Sequence, residues 1–196
     1  MISIGFLLGI RHAFEPDHLA AISTQIAQEN KFIHQLKHGL AWGLGHTLFL
    51  VVIASIILLT QLQIPKSLEL IIECSIGILL IILGIYSIKR NVATEKNTTS
   101  AAPTRTSTTK SFLIGSAHGL AGSSAIVLLV STMFSNKFTG LAYIIIVGIG
   151  SILGMTLITS LFHLLPSHKN KRIKQITGTI SIIVGILVIA KTIAAL

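Results

Sequence analysis

Six long apolar runs limit what this chain can fold into. Each run is near the length of about 20 residues that a helix needs to cross a bilayer. Each is continuous in Ile, Leu, Val, Ala and Gly, without the alternation of a β-barrel strand. The runs cover residues 2–27, 38–60, 67–88, 111–134, 138–164 and 174–195. The sequence therefore predicts an all-α fold, a polytopic membrane helix bundle of six transmembrane helices.

The composition excludes the main alternatives to a membrane protein. Only 11% of the 196 residues are charged, whereas a soluble domain has about 25%. The mean hydropathy of +0.84 is also the opposite of what a disordered chain requires. The single cysteine, Cys74, excludes thiol redox chemistry within the chain. The sequence contains no Walker-type glycine loop, so we do not expect ATP to bind. We expect no other organic cofactor either.

The placement of the basic residues predicts the orientation of the helices. The formal net charge is +9, but the cations fall in short loops, so nucleic acid is not an expected partner. Eleven Lys and Arg residues occupy three alternate loops, against Lys66 and Lys137 in the two opposite loops. Positive loops face the cytoplasm. We therefore expect a cell-membrane protein with both termini outside and with loops 28–37, 89–110 and 166–173 in the cytoplasm.

The two halves of the chain share a pattern of small and polar residues. The matching positions are 6–9 and His12 with 112–115 and His118, 44–48 with 153–157, and Gly77 and Gly84 with Gly178 and Gly185. The pattern predicts a three-helix repeat at 1–88, a polar linker at 89–110 and a second repeat at 111–196. Because each half has an odd number of spans, the second repeat must be inverted, as in secondary transporters. Chance similarity between glycine-rich apolar helices is the alternative interpretation.

The first span carries five ionisable residues within positions 11–18. Each charged side chain at the bilayer centre costs at least about 2.5–3.5 kcal/mol, so this group must face a cavity, a bound ion or one another. Pro16 lacks an amide hydrogen, and its ring excludes the carbonyl of His12. The span is therefore predicted to break at Pro16, as in the discontinuous helices that form ion sites in transporters.

The side chains around this break suit a borderline transition-metal ion such as Ni²⁺, Co²⁺ or Zn²⁺. His12 and His18 are six residues apart, and a break between them would let both rings turn toward one point. Glu15 and Asp17 either bind the ion directly or orient an imidazole through its other nitrogen. Arg11 is predicted to pair with one of these carboxylates. A buried salt-bridge network that stiffens two helices is the alternative.

Other histidines extend this hypothesis. His46 lies near the midpoint of the second span, and we interpret it as a further metal ligand rather than as a packing residue. His118 occupies the place of His12 in the second repeat, and its roles as ligand and as packing residue both stay open. His34 and His38 are interpreted as solvated histidines of the first cytoplasmic loop, with onward passage of metal as the alternative.

At these residues the sequence resembles the nickel/cobalt transporter family, and more closely its short UreH-like branch. The family signature Arg-His-Ala-x-Asp-Ala-Asp-His-Ile corresponds to RHAFEPDHL at 11–19, and a Leu-Gly-His-Ser segment corresponds to LGHT at 44–47. The resemblance implies a multi-span permease for Ni²⁺ or Co²⁺. The residues that it places in the metal path are His12, Asp17, His18 and His46.

This sequence departs from the family pattern at two places. Pro16 replaces an alanine of the first motif, which would alter the geometry of the site or the direction of transport. In the second half, residues 116–124 replace an acidic motif, so that Ser123 and Ser124 stand where Asp17 and His18 stand in the first half. The second repeat thus keeps fewer metal ligands than the first.

The sequence as a whole predicts a transporter for divalent transition metals and not an enzyme. Uptake of nickel, or of cobalt, is the leading hypothesis. The alternatives are nickel or cobalt efflux, a membrane-embedded metalloenzyme, and an accessory protein for metallation of urease or hydrogenase. The expected partners are the metal ion and membrane lipid, with a cytoplasmic metallochaperone as a further candidate. Because coordination needs neutral imidazole, metal affinity is predicted to fall as the pH drops through about 6.5.

Overall fold

A computed structural model describes residues 2–27, 29, 31–61, 65–96, 107–134, 136–164 and 171–194. The side chains at 90–96, 121–129, 131–132 and 171 lie outside this description. The described residues form seven α-helices, which confirms the all-α class. They are α1 (Ile2–Ala13), α2 (Pro16–Ile26), α3 (Phe32–Thr60), α4 (Lys66–Lys96), α5 (Thr108–Met133), α6 (Lys137–His163) and α7 (Lys171–Ile193).

Four described helices are long and apolar enough to cross a membrane. They are α3, α4 over Lys66–Lys89, α6, and α7 over Arg172–Ile193. The predicted first span is formed by the shorter helices α1 and α2, and α5 has 26 residues. Large apolar side chains cover the outer faces; Leu7, for example, is 62% exposed and Phe138 is 75% exposed. Such a surface suits lipid rather than water. The chain is therefore a membrane protein, whereas the number of six spans stays a prediction.

The first span breaks at Pro16, as the sequence predicted. Helix α1 ends and α2 begins within residues 13–16, and Glu15 between them is extended, with φ −63° and ψ 145°. The amides of Phe14 and Glu15 bond carbonyls only three residues back, at 3.0 and 3.1 Å. Proline has no amide hydrogen to continue α1, but it fits the first position of a new helix.

The helix ends differ from the predicted loop boundaries. Helix α4 continues to Lys96, and α5 already begins at Thr108. Both helices thus extend into the segment 89–110, of which residues 97–106 lie outside the described part of the chain. Lys, Arg, Ala and Glu at the end of α4 are good helix formers, so the helix need not end where the apolar run ends. Helix α3 likewise begins at Phe32, inside the predicted loop 28–37.

Helices from the two halves of the chain pack against each other. Helix α3 packs along α5 and α6, α1 packs along α6, and α4 packs along α7. Small residues permit the closest of these approaches. On α5, Gly115 and Gly119 lie against the backbone carbonyls of Trp42 and His46 of α3. Gly45 of α3 in turn lies against α5. This contact brings side chains of α3 and α5 to the same depth.

The close approach of α4 and α7 at their glycines can be tested by substitution. A Cβ atom added at Gly84 would overlap the carbonyl oxygen of Gly178, and one added at Gly178 would lie 2.9 Å from that of Gly84. We expect Gly84→Val to lower the melting temperature of the purified protein by several degrees, because overpacking costs about 1–3 kcal/mol. The control is Ile85→Val on the exposed face of the same helix. Equal melting temperatures for the two variants would contradict this packing.

Candidate metal centre

Four buried histidines meet where the first span is broken. His12 lies in the last turn of α1, His18 in the first turn of α2, His46 in the middle of α3, and His118 in α5. They are 6%, 1%, 0% and 1% exposed, respectively. The ring centroid of His18 lies 4.5 Å from that of His12 and 5.0 Å from those of His46 and His118. We call these four residues the histidine cluster, and His18 is its centre.

Two carboxylates orient the imidazoles of the broken span. The Nδ1 atom of His12 donates to Glu15 Oε1 at 3.1 Å, and Nδ1 of His18 donates to Asp17 Oδ1 at 3.0 Å. An ionised carboxylate only accepts hydrogen bonds, so the proton of each neutral ring lies on Nδ1 and the lone pair on Nε2. Metal-ligating histidines typically have such a carboxylate partner on the second nitrogen.

The cluster provides two overlapping sets of donor atoms. One set comes from His12, His18 and His46, the other from Asp17, His18 and His118, and within each set the donors lie within 4.8 Å of one another. The Nε2 atoms of His12 and His46 are 3.3 Å apart and hydrogen-bonded, with His12 as the acceptor because its own proton lies on Nδ1. Two ligands of a tetrahedral ion with bonds of about 2.1 Å are separated by about 3.4 Å. Asp17 Oδ2 likewise lies 3.4 Å from Nε2 of His118.

Several buried nitrogen atoms around the cluster have no hydrogen-bond partner within the described part of the chain. They are Nε2 of His18, Nδ1 of His46, Nδ1 of His118 and Nε1 of Trp42, whereas Nε2 of His118 faces the Asp17 carboxylate at 3.4 Å. A buried polar atom without a partner costs roughly 1–3 kcal/mol, and native structures usually explain such an atom by water or an ion. The imidazole nitrogens can ligate a metal, whereas the Trp42 indole can only donate a hydrogen bond.

Trp42 is the residue of this site that sequence reasoning missed. Its buried ring is stacked on that of His46, with centroids 5.4 Å apart and an interplanar angle of 5°. The same ring lies 5.3 Å from His18 and 5.4 Å from His118. The available signal was its spacing, because His38, Trp42 and His46 follow one another at intervals of four and share one face of a helix.

Two interpretations of single residues were wrong. Arg11 is exposed and forms no ion pair with either carboxylate in the described structure, because Glu15 and Asp17 contact imidazoles instead. His38 is only 1% exposed and is not a solvated loop histidine, because α3 already begins before it. The side chains of the two serines at 123 and 124 lie outside the described residues.

The fold and the site together define a class: an all-helical membrane protein in which buried histidines meet two carboxylates at a broken helix. Residues 1–88 match the family model NicO, described as high-affinity nickel-transport protein. The chain is 35% identical over 202 residues to the urease accessory protein UreH of Bacillus sp. (strain TB-90), and the match covers 95% of this chain and 89% of that protein. No solved structure matches the chain.

This chain belongs to the NicO family of nickel-transport proteins. The resemblance drawn from residues 11–19 and 44–47 is therefore confirmed. Its family is one of membrane transporters, so the function class is metal-ion transport, and the expectation that the chain is not an enzyme is confirmed by the same membership.

Proposed function

We propose that this protein carries Ni²⁺ into the cell through the histidine cluster, with Co²⁺ as the alternative ion. The observation that carries the proposal is the position of His18. It belongs to both donor sets, is almost fully buried, and is oriented by Asp17 so that Nε2 keeps its lone pair. The residues assigned to the metal site are His12, Glu15, Asp17, His18, His46 and His118.

The two donor sets support a pathway in which the ion exchanges ligands around His18. A dehydrated ion bound by His12, His18 and His46 needs to shift only a few ångströms to be bound by Asp17, His18 and His118. One imidazole holds the ion throughout, while the other ligands change from one set to the next. Glu15 keeps the ring of His12 oriented without entering the pathway itself.

We further propose six spans arranged as two inverted repeats, with the division 1–88, 89–110 and 111–196. Support comes from reciprocal helix contacts. A two-fold axis that exchanges the halves would map the contact of α1 with α6 onto the contact of α5 with α3, and both contacts exist. It would also exchange the Gly84–Gly178 contact with the Gly77–Gly185 contact, and both exist between α4 and α7. The loop charges favour both termini outside.

Uptake is favoured over efflux by the description of the family as high-affinity nickel transport. High affinity is what capture of a scarce external ion requires, whereas an exporter works from the more abundant side. A second candidate function is supported by the name of the UreH relative, which is an accessory protein. In that role the chain would bind nickel at the membrane for a soluble metallochaperone and would pass no flux of its own.

The proposal is tested by reconstitution into liposomes that contain a nickel-sensitive dye. We expect external Ni²⁺ or Co²⁺ to enter protein-containing liposomes, whereas Mg²⁺ does not, because imidazole ligands suit the transition metals and not Mg²⁺. Protein-free liposomes give the background. Stoichiometric Ni²⁺ binding without flux would favour the accessory role instead.

The direction is measured in cells that lack other nickel carriers. We expect these cells to accumulate more nickel when the chain is expressed than when it is not. Lower accumulation, together with flux in liposomes, would identify an exporter that uses the same site.

A further inference from the structure

The four rings of the histidine cluster are held in place by different contacts. Three of them, those of His12, His18 and His118, lie within 3.4 Å of a carboxylate oxygen. The fourth ring, that of His46, contacts no carboxylate in the part of the chain that the structure describes. Its Nε2 atom is bonded to His12, and its Nδ1 atom has no hydrogen-bond partner. The orientation of His46 must therefore come from another contact.

The hydrogen bond between His46 and His12 cannot orient the His46 ring once an ion is bound. The two Nε2 atoms are 3.3 Å apart, and both rings belong to the donor set that also includes His18. An ion that both nitrogens ligate takes the place of the hydrogen between them. Glu15 still orients His12 in that state, whereas His46 keeps only its contacts with neighbouring rings.

The ring that is stacked on His46 is the indole of Trp42. The two rings are nearly parallel, with an interplanar angle of 5° and centroids 5.4 Å apart, which is the offset-stacked arrangement that aromatic pairs prefer. Residues four apart lie on the same face of a helix, so the backbone of α3 places the indole beside the imidazole. A flat surface against the imidazole restrains the tilt of that ring and leaves the nitrogens at its edge uncovered.

Trp42 is itself held firmly in the fold. Its side chain is fully buried and belongs to an apolar core to which α1, α2, α4 and α6 also contribute. Its backbone carbonyl lies against Gly115 of α5, where an added Cβ atom would overlap it. The indole also meets His18 edge to face, with centroids 5.3 Å apart and an interplanar angle of 76°. A ring fixed by packing in this way can fix the position of His46 in turn.

Hydrogen bonding does not explain the position of the indole. Nε1 of Trp42 has no hydrogen-bond partner among the described residues, so the described contacts of this side chain are made by its faces and edges. An indole also offers no nitrogen lone pair to a metal ion, because its N–H is only a donor. Trp42 is therefore not a ligand, and what it supplies to the cluster is a flat surface.

We infer that Trp42 is the positioning residue of His46, whose imidazole it holds by stacking in the orientation that ligates the ion. The inference rests on the proposed transport function, in which His46 is a ligand. Carboxylates orient the other imidazoles, as is usual around metal-ligating histidines. For His46 the stacked indole takes that role.

The test compares two substitutions that both remove the indole N–H. Trp42→Phe keeps a flat ring against His46, and Trp42→Leu does not. We expect the Ni²⁺ affinity of Trp42→Leu, measured by calorimetry on the full chain in detergent, to fall roughly tenfold, since residues that orient metal ligands contribute 10–100-fold. Trp42→Phe should lose less than about threefold, because a phenyl ring stacks in the same arrangement. Both variants should melt at lower temperatures, because each removes volume from the core.

Two further readouts separate the positioning of His46 from a general loss of packing. The absorption bands of bound Co²⁺ report the geometry of its ligands, so they should shift in Trp42→Leu and stay in place in Trp42→Phe. In a protein that already carries His46→Ala, the additional change Trp42→Leu should alter the Ni²⁺ affinity by less than about twofold, because two residues that act as one unit are not additive.

The matched control is Leu50→Ala. Leu50 lies four residues after His46 on α3, as Trp42 lies four residues before it, and it is equally buried. It belongs to the other group of core residues, on the far side of His46 from Trp42. We expect Leu50→Ala to lower the melting temperature, because it leaves a cavity, and to leave the Ni²⁺ affinity and the Co²⁺ bands unchanged.

The outcomes separate this inference from the proposed function. Unchanged affinity and Co²⁺ bands in Trp42→Leu, an equal loss of affinity in Leu50→Ala, or additive losses in the double variant would overturn the positioning role and leave the proposed function intact. No Ni²⁺ binding and no flux in the unmodified protein would overturn both. If Trp42→Leu does not yield folded protein, Trp42→Met, which also lacks a flat ring, is measured in its place.

Discussion

Replacing His18 with asparagine is expected to abolish Ni²⁺ transport. It should also weaken Ni²⁺ binding at the histidine cluster by at least about a hundredfold, because mutation of residues that only orient the ligands already lowers metal affinity 10–100-fold. The amide nitrogen of asparagine can take the place of Nδ1 and keep the bond to Asp17. No atom of asparagine reaches the position of Nε2. Because His18 belongs to both donor sets, its loss interrupts every route between them.

The measurements for His18→Asn are flux into liposomes and isothermal titration with Ni²⁺. Leu7→Ala serves as the control, because this α1 side chain is 62% exposed on the lipid-facing surface and takes no part in the cluster. Both variants should elute as folded protein from a sizing column. If His18→Asn keeps a flux within twofold of that of the unmodified protein, the ion path does not run through the histidine cluster.

The parts of the site that were predictable from sequence are those that depend on local chemistry. Pro16 interrupts a helix whatever surrounds it, since its ring and missing amide hydrogen act within one turn. Ionisable residues at 11–18 in an apolar run must face a polar interior, because lipid exposure is too costly. These two local arguments were enough to predict the broken span and to bring His12 and His18 into one candidate site.

The parts that were not predictable depend on how separate helices pack. Trp42 belongs to the site only because α3 turns the face of His38 and His46 toward α2 and α5. The burial of His38 depends on where α3 begins and on its contact with Ser111, which is 73 residues away in the chain. Arg11 was assigned to a carboxylate by proximity in sequence, but the break turned the carboxylates to the imidazoles and left Arg11 exposed.

A methyl group at Gly119 is expected to weaken metal binding even though it removes no donor atom. The Cβ atom of Gly119→Ala would overlap the backbone carbonyl of His46, so α3 and α5 must move apart. Overpacking of this kind costs about 1–3 kcal/mol. His118 is carried by α5 and His46 by α3, so their separation stretches the donor geometry. We expect a roughly tenfold loss of affinity, the lower end of the 10–100-fold loss found when residues that orient metal ligands are mutated.

Gly140→Ala is the matched control for Gly119→Ala, because it adds the same methyl group to a buried helix glycine away from the cluster. The nearest atoms to that Cβ would be Cγ1 of Val130 at 3.1 Å and Cδ1 of Leu58 at 3.6 Å, both ends of side chains that can give way. Thermal melting and Co²⁺ titration are measured on both variants. The expected pattern is a lower melting temperature and lower affinity in Gly119→Ala alone. Unchanged affinity in a destabilised Gly119→Ala variant would mean that the donors follow the broken first span rather than the spacing of α3 and α5.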